Sequence, residues 1–252
     1  MRRLIALLLT TSLAMSQTIV IVVPVAGGGG ASTLMTGLIG YWKMDEASGN
    51  RMDSSGNTLT LTDNNTVGST AGKVGNAAVI VSGVAEFLSR NSSTPIALGS
   101  GVTKTWDGWV FPTSVAENFN IWTKGSDIGA GNFEYRIYHP SATSIRIRVS
   151  NGTTIWEVTS TTGTCPLNTW TYFRATLDTS GPTLELELNN NGTLFSISAG
   201  SGWATSNRMD MGNLQNSSGY AGRLDEFGMW SRTLTTTEQA TRFNGGSGHT
   251  LP

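Results

Sequence analysis

Cysteine is nearly absent from these 252 residues. Cys165 stands alone, so no intrachain disulfide can form and stability must come from a packed core. It precedes Pro166 with no histidine nearby to activate it, which makes it a small packing side chain rather than a nucleophile. Histidine is almost as scarce. His139 and His249 lie in turn-like or terminal sequence, and two isolated imidazoles make neither a zinc site nor a catalytic triad. Charged residues are only 13%, with a net charge of −1, so nothing attracts a polyanion and nucleic acid is excluded as a partner. No long helical period appears, which excludes a doubly wound nucleotide-binding fold. No internal repeat of fixed period is visible either.

What is abundant is glycine, at 31 residues, together with Ser, Thr and Asn. That composition suits many short strands joined by tight turns. Leu38 to Met44 reads as a first strand with Tyr41 and Trp42 as anchors. Leu59 and Leu61 alternate with threonines over Thr58 to Thr62, the period of a half-buried strand. Gly75 to Ser82, Ala85 to Ser89 and Trp106 to Phe111 follow, the last stopped by Pro112. Phe119 to Thr123 comes next. Phe133, Tyr135 and Ile137 then alternate against Glu134, Arg136 and Tyr138. Ile145, Ile147 and Val149 alternate against Arg146 and Arg148, and Asn151-Gly152 turns the chain back into Ile155 to Thr159. Trp170 to Leu177 and Leu184 to Leu188 lead to a second Asn-Gly turn, then Leu194 to Ser198 and Arg208 to Gly212. About a dozen short strands define an all-β sandwich or barrel of roughly 200 residues.

The closing stretch runs Gly222-Arg223-Leu224-Asp225-Glu226-Phe227-Gly228-Met229-Trp230. After a polar turn, Thr235-Thr236-Thr237-Glu238 is a capping box: the Thr235 hydroxyl accepts from the Glu238 amide while the Glu238 carboxylate reaches back. One short helix is therefore predicted to stop near Gly245-Gly246.

The N-terminus is organised differently. Arg2 and Arg3 precede an uncharged run that lasts to Lys43, and Leu4 to Met15 has the length of a signal-peptide core. Ala14 and Ser16 are small residues suited to cleavage after Ser16. An uncleaved anchor is the rival, because Leu4 to Ala26 carries no charge and could span a bilayer of ~30 Å. Its polar middle and Pro24 argue against spanning. A third alternative is an arm that packs into a partner. The expected organisation is a signal peptide or anchor over 1–16, an apolar arm and Gly-rich linker over 17–36, and one sandwich domain over 37–252.

Several pieces arrive in a familiar order. These are Tyr41-Trp42-Lys43-Met44-Asp45-Glu46, Asp53-Ser54-Ser55-Gly56-Asn57, Gly72-Lys73-Val74-Gly75-Asn76-Ala77, Trp109-Val110-Phe111-Pro112, Asn168 to Phe173, and the Asp225-Glu226 strand before the helix. Together, from Gly40 to about Gly246, the chain resembles the LamG-like (laminin G / concanavalin A-like lectin/glucanase) family. The resemblance implies a jelly-roll β-sandwich of two antiparallel sheets with one short C-terminal helix. It also implies that the last strand lies beside the first and closes the sandwich. One departure is the turn Ser82 to Glu86, where the family usually has an Asp-rich sequence.

Three kinds of site come into question. Structural Ca2+ takes six to eight oxygens. Asp53 and Asn57 flank a Gly-containing turn, and the resemblance brings Asp225 towards them. The plainer alternative is that Asp53 and Asn57 cap their own turn and Asp225 hydrogen-bonds to the same loop. Glycan binding would use exposed aromatics, with Trp122, Tyr135, Tyr138, Trp156 and Trp203 as candidates. Trp42, Trp109, Trp170 and Trp230 match core positions of the family instead. Arg136, Arg146 and Arg148 share one face of a hairpin, for which a solvated sheet face is the simpler explanation. Glycoside hydrolysis is the third kind. Glu185 and Glu187 point the same way on a strand, but Asn189 and Asn190 follow where a third acid of the glucanase signature would stand, so no catalysis is expected.

The expected function is a non-catalytic binding or adhesion module, secreted or displayed at a cell or particle surface, that recognises glycan or a surface protein. The alternative is a structural decoration protein, such as a virion or appendage component, docked by membrane or assembly contacts through residues 1–26. Intact-mass measurement of the native protein tests the leader: export predicts a mass beginning at Gln17, whereas a mass beginning at Met1 shows that the apolar segment is retained.

Overall fold

The computed structural model describes residues 33–81, 83, 85–91, 95–99, 101–114, 119–125, 132–212 and 220–252. The expected leader, arm and glycine linker lie outside the described residues, apart from the last few residues before the domain. In chain order the strands are β1 (Leu38–Trp42), β2 (Thr62–Asn64), β3 (Gly68–Ala71), β4 (Asn76–Ile80), β5 (Phe87–Asn91), β6 (Lys104–Ser114), β7 (Phe119–Gly125) and β8 (Phe133–Ser141). They continue as β9 (Ser144–Ser150), β10 (Ile155–Thr159), β11 (Thr171–Asp178), β12 (Thr183–Leu188), β13 (Leu194–Ser198), β14 (Arg208–Met211) and β15 (Ala221–Trp230). One helix, α1 (Thr236–Phe243), follows and runs into a 3-10 turn at Asn244–Gly246.

The strands form two antiparallel sheets. The larger runs β13-β12-β11-β6-β15-β4-β3, with β1 also on β15; the smaller runs β10-β9-β8-β7-β14-β5-β2. Their inner faces enclose one continuous core that includes Trp42, Trp106, Trp122, Tyr135, Phe173 and Phe227. The rings meet edge-on or tilted: Trp42 and Trp122 at 5.7 Å, Trp106 and Tyr135 at 4.9 Å, Phe173 and Phe227 at 5.6 Å. Such contacts add ~0.5–1.5 kcal/mol each beyond the area they bury. Cys165 is buried in this core, as its sequence context implies.

Three local expectations are corrected. Leu59 and Leu61 are core residues, but their segment makes only an isolated bridge, Arg51 to Leu61, and the strand starts at Thr62. Pro112 does not stop β6, which continues to Ser114. Pairing with β11 has already ended at Val110, so a residue without N–H is tolerated there. His139 lies within β8 and is buried, its Nδ1 2.9 Å from the Ser144 carbonyl, rather than in a turn.

The chain closes as the resemblance implies. β1 pairs with β15 through Tyr41 to Gly228 and Trp42 to Phe227, while β4 takes the earlier part of the same edge at Gly222 to Leu224. Between those stretches β15 bulges. Asp225 faces Trp109 and Gly228 faces Asp107, so Glu226 and Phe227 together oppose Gly108. Glu226 takes φ 56°, a costly value for a residue with a side chain. The extra residue returns Phe227 to the core, where a Cβ on Gly108 would lie 2.8 Å from its ring. Glycine is therefore required at 108.

The bulge also turns Glu226 to the outer face, where a buried polar network holds it. The Tyr41 hydroxyl donates to the Glu226 carboxylate, and Arg242 Nη2 donates to the Glu226 carbonyl at 2.6 Å. Arg242 also forks onto Asp107 at 2.8 and 3.0 Å, Tyr172 donates to Asp107 at 2.8 Å, and Arg242 Nη1 reaches the His249 carbonyl at 2.6 Å. This clamp pins α1 to the outer face of the larger sheet. The helix start is the expected capping box, with Thr235 N to Glu238 at 2.8 Å and Glu238 N to Thr235 at 3.3 Å. Under α1, Trp109 stacks on Phe243 at 5.8 Å. Trp109 is thus packed in a second, outer layer rather than between the sheets. Trp170 is only half-buried, against Phe111, and Trp230 belongs to a separate cluster with Leu34, Leu38 and Tyr41.

Asp225 is the other acidic residue at the bulge. Its Oδ2 accepts from the amides of Lys73 and Val74 at 2.6 and 3.0 Å, and its buried Oδ1 has no partner among the described residues. Burial pushes its pKa up to about 8 against the pull of those amides, and nearby Glu226 and Asp45 add to the rise. Glu226 is raised as well, by burial, with Arg242 opposing.

Two outcomes follow from this network. Replacing Arg242 by Met strands two buried carboxylates and is expected to cost ~3–5 kcal/mol in urea unfolding; a loss below ~1 kcal/mol would show that the clamp is not structural. A carboxyl that keeps its proton on folding makes the native state bind more protons than the unfolded one. The contribution of Asp225 is then full below about pH 4 and is lost as pH rises to about 8. Asp225→Asn should flatten that slope, measured as Tm against pH, and an unchanged slope would assign the titration elsewhere.

Candidate functional site

The expected calcium ligands are not brought together. Asp53 Oδ1 accepts from the amides of Tyr41 and Ser55 at 3.0 and 2.8 Å, and Oδ2 from the Ser55 hydroxyl and the Leu59 amide at 2.9 and 2.8 Å. Four donors point at that carboxylate, so its lone pairs are already used. Asn57 turns its NH2 group, a donor, to the carbonyls of Leu38 and Ile39 at 3.1 and 2.8 Å. Both residues clasp the turn to β1, as the plainer alternative has it, and do not fit a cation. Asp225 binds the 72–75 loop, not this turn. Asp45 grips the same loop by accepting from the Asn76 amide at 2.7 Å. Among the described residues, no group of three His, Cys, Asp or Glu side chains is arranged to hold a metal.

The five aromatic candidates separate into three environments. Trp122 and Tyr135 are fully buried between the sheets, because alternation in β7 and β8 turns them inward, and neither offers a surface to a ligand. Tyr138 is on the opposite face of β8 but is also buried. Arg136, Arg148 and Arg146 lie over its ring at 4.0, 5.2 and 5.9 Å. Only Trp156 and Trp203 remain half-exposed.

Trp156 and Trp203 come together at the edge of the sandwich where β10 of the smaller sheet packs beside β12 and β13 of the larger. Their rings meet edge-on at 5.8 Å and 83°. The loop after β13 wraps Trp156 closely: a Cβ on Gly200 would fall 2.2 Å from the indole, so only glycine fits. Beside Trp203 opens a cleft of about 240 Å³ lined by Gly101, Thr179, Pro182, Gly200, Ser201 and Gly202. It is mostly backbone and small side chains, with one indole as a wall.

The outer face of the smaller sheet carries a polar row fixed by strand register. Thr62, Ser89, Asp210, Thr123, Arg136, Arg148 and Glu157 are successive cross-strand partners from β2 to β10. A second row joins Asn120, Tyr138, Arg146 and Thr159. The three arginines thus share one face, as their alternation implies. Glu157 bridges two of them, at 3.1 Å to Arg146 and 2.6 Å to Arg148. Glu157 lies in no motif of its own, although the Asn151-Gly152 turn places it opposite Arg148. The cleft residues, by contrast, lie far apart in the chain and carry no local signal.

Of the two acids weighed for glycoside hydrolysis, Glu185 and Glu187, the second is committed elsewhere. It pairs with Arg174 at 2.5 Å and accepts from the Gly192 amide at 2.8 Å, on the face away from the core.

Comparison with known proteins places this geometry. The family model of the concanavalin A-like lectin/glucanases superfamily matches residues 89–238. No curated protein matches the sequence. Among solved structures, the botulinum neurotoxin serotype C1 binding domain is similar at TM-score 0.64 and 11% identity, covering 86% of this chain and 53% of that one. The binding domain of Paraclostridial Mosquitocidal Protein 1 is similar at 0.63 and 16%, covering 84% and 53%. Domain 4 of the extracellular arabinanase AbnA from Geobacillus stearothermophilus, in complex with arabinotriose, is similar at 0.58 and 16%, covering 84% and 98%. The chain spans about half the length of the toxin binding domains it matches. At these identities the likeness is one of fold.

Proposed function

The chain belongs to the concanavalin A-like lectin/glucanases superfamily, and we propose that it is a non-catalytic glycan-binding module of a secreted or surface-displayed protein. The observation that carries this is the half-exposed Trp156–Trp203 pair beside its glycine-lined cleft. An indole face takes up the apolar side of a sugar ring, and backbone polar groups around it can fix the hydroxyls. Two structures of this fold support the reading: the arabinanase domain in complex with arabinotriose, and a neurotoxin binding domain in complex with SialylT. A non-catalytic role is supported by Glu187, whose carboxylate is taken up by Arg174 and the Gly192 amide.

A protein partner is the second possibility, and β13 favours it. This edge strand leaves Leu194 and Ile197 47% and 42% exposed, an apolar edge able to receive another chain. Among the described residues, no helix is long and apolar enough to cross a membrane.

Glycan-array screening followed by calorimetry tests the first reading. Trp203→Ala should weaken any captured glycan by at least about tenfold, with some loss of stability because this half-buried ring packs against the core. Trp156→Ala should do the same with some loss of stability, since this ring also packs on the core. Capture of no glycan, or binding indifferent to Trp203, would sink it.

A further inference from the structure

We propose that the outer face of the smaller sheet is a second subsite that binds the oxyanion, carboxylate or sulfate, of an acidic glycan, through Arg146 and Arg148. The inference rests on the glycan-binding reading but uses different residues. Arg146 and Arg148 are two residues apart on β9 and point to the same side, roughly 6.6 Å from each other along the strand.

Each guanidinium is fixed from behind. Arg146 Nε donates to the Thr159 hydroxyl at 2.6 Å, and its Nη1 reaches the Tyr138 hydroxyl at 3.3 Å and Glu157 at 3.1 Å. Arg148 Nε donates to Glu157 at 2.6 Å. The buried Tyr138 ring lies beneath both, with Arg136 stacked closest to it. Nη2 of Arg146 and both terminal nitrogens of Arg148 have no hydrogen-bond partner among the described residues, and the two side chains stay 24% and 23% exposed.

The charge balance agrees with the geometry. Among the described residues, Arg146 and Arg148 share one carboxylate, that of Glu157, in a protein whose net charge is −1. A guanidinium edge with two parallel N–H groups matches the two oxygens of a carboxylate or sulfate. Because the arginines are already immobilised by Thr159, Glu157 and Tyr138, binding orders little that is not ordered before. A merely solvated face has no need to anchor long side chains in this way. The same edge strand, β10, carries Trp156 on one side and Glu157 on the other, so one saccharide chain folding over that edge would meet the indole and the guanidiniums in turn.

The test uses matched glycan pairs on the full chain: oligogalacturonate against its methyl ester, sialyllactose against lactose, and heparan sulfate against its desulfated form. At least one acidic member should bind about tenfold or more tightly than its neutral counterpart, with the preference falling as salt rises. Arg148→Ala should erase that preference, and Arg148→Lys should restore only part of it because the fork is lost. Glu157→Gln should strengthen acidic binding, a gain that a purely structural role would not produce. Carboxylated and sulfated pairs tell the two oxyanions apart. No preference for any acidic member, or a preference unaffected by Arg148→Ala, overturns the proposal. Neutral binding that depends on Trp203 without acidic preference would leave the module function standing and remove only this subsite. Acidic binding that survives Trp203→Ala but not Arg148→Ala would do the reverse.

Discussion

The structure depends on the way Arg242 is held. It is a fully buried cation that answers the Asp107 carboxylate, the Glu226 carbonyl and the carbonyl of His249 at once. Burying a charge without partners is costly, so these groups must be assembled together or not at all. Once assembled, they fix the helix on the outer face, the chain end beside Tyr41, and the strained backbone of Glu226 in the middle of β15. The bulge at that point lets one long strand serve β4 with its first half and β1 with its second. Closure of the sandwich is therefore an electrostatic event as much as a hydrophobic one.

A clamped larger sheet leaves the smaller sheet and the open edge to vary. The interior needs only alternating apolar residues. The opposite faces of the same strands are free of that demand, and there the chain places Arg136, Tyr138, Arg146, Arg148 and Glu157 in register. At the edge, where β10 meets β12 and β13, two indoles stay half in water because no further strand among the described residues covers them. Features that could receive a ligand thus occur where the packing problem is already solved, in keeping with a scaffold whose binding surfaces differ between members.

Much of the fold was legible because its signals are local. Period-two alternation marked β8, β9 and β12, Asn-Gly marked the hairpin from β9 to β10, and the Thr235–Glu238 spacing marked the start of α1. Local signals misled where a neighbour from another part of the chain decided the outcome. Pro112 continues a strand because β11 has stopped pairing beside it, and Leu59 is buried without a regular ladder. The site was less legible. Trp122 and Trp203 are the same residue type, yet one faces the core and the other the edge. Asp53 carries the oxygens a metal requires, but four donors arrive from β1, its own turn and the segment that follows.

The sequence by itself determined the all-β class, the order of most strands, the short capped helix, and the lack of any intrachain disulfide, since Cys165 stands alone. Each of these follows from residue type and short-range spacing. Only the tertiary structure decided that Asp225 grips the 72–75 loop, that Arg242 binds Asp107 across 135 positions, that Gly200 makes room for Trp156, and that Glu157 shares itself between two arginines. The reason is physical. Burial and hydrogen-bond partnership are properties of pairs, and when the two members are far apart in the chain neither one carries a local mark of the other.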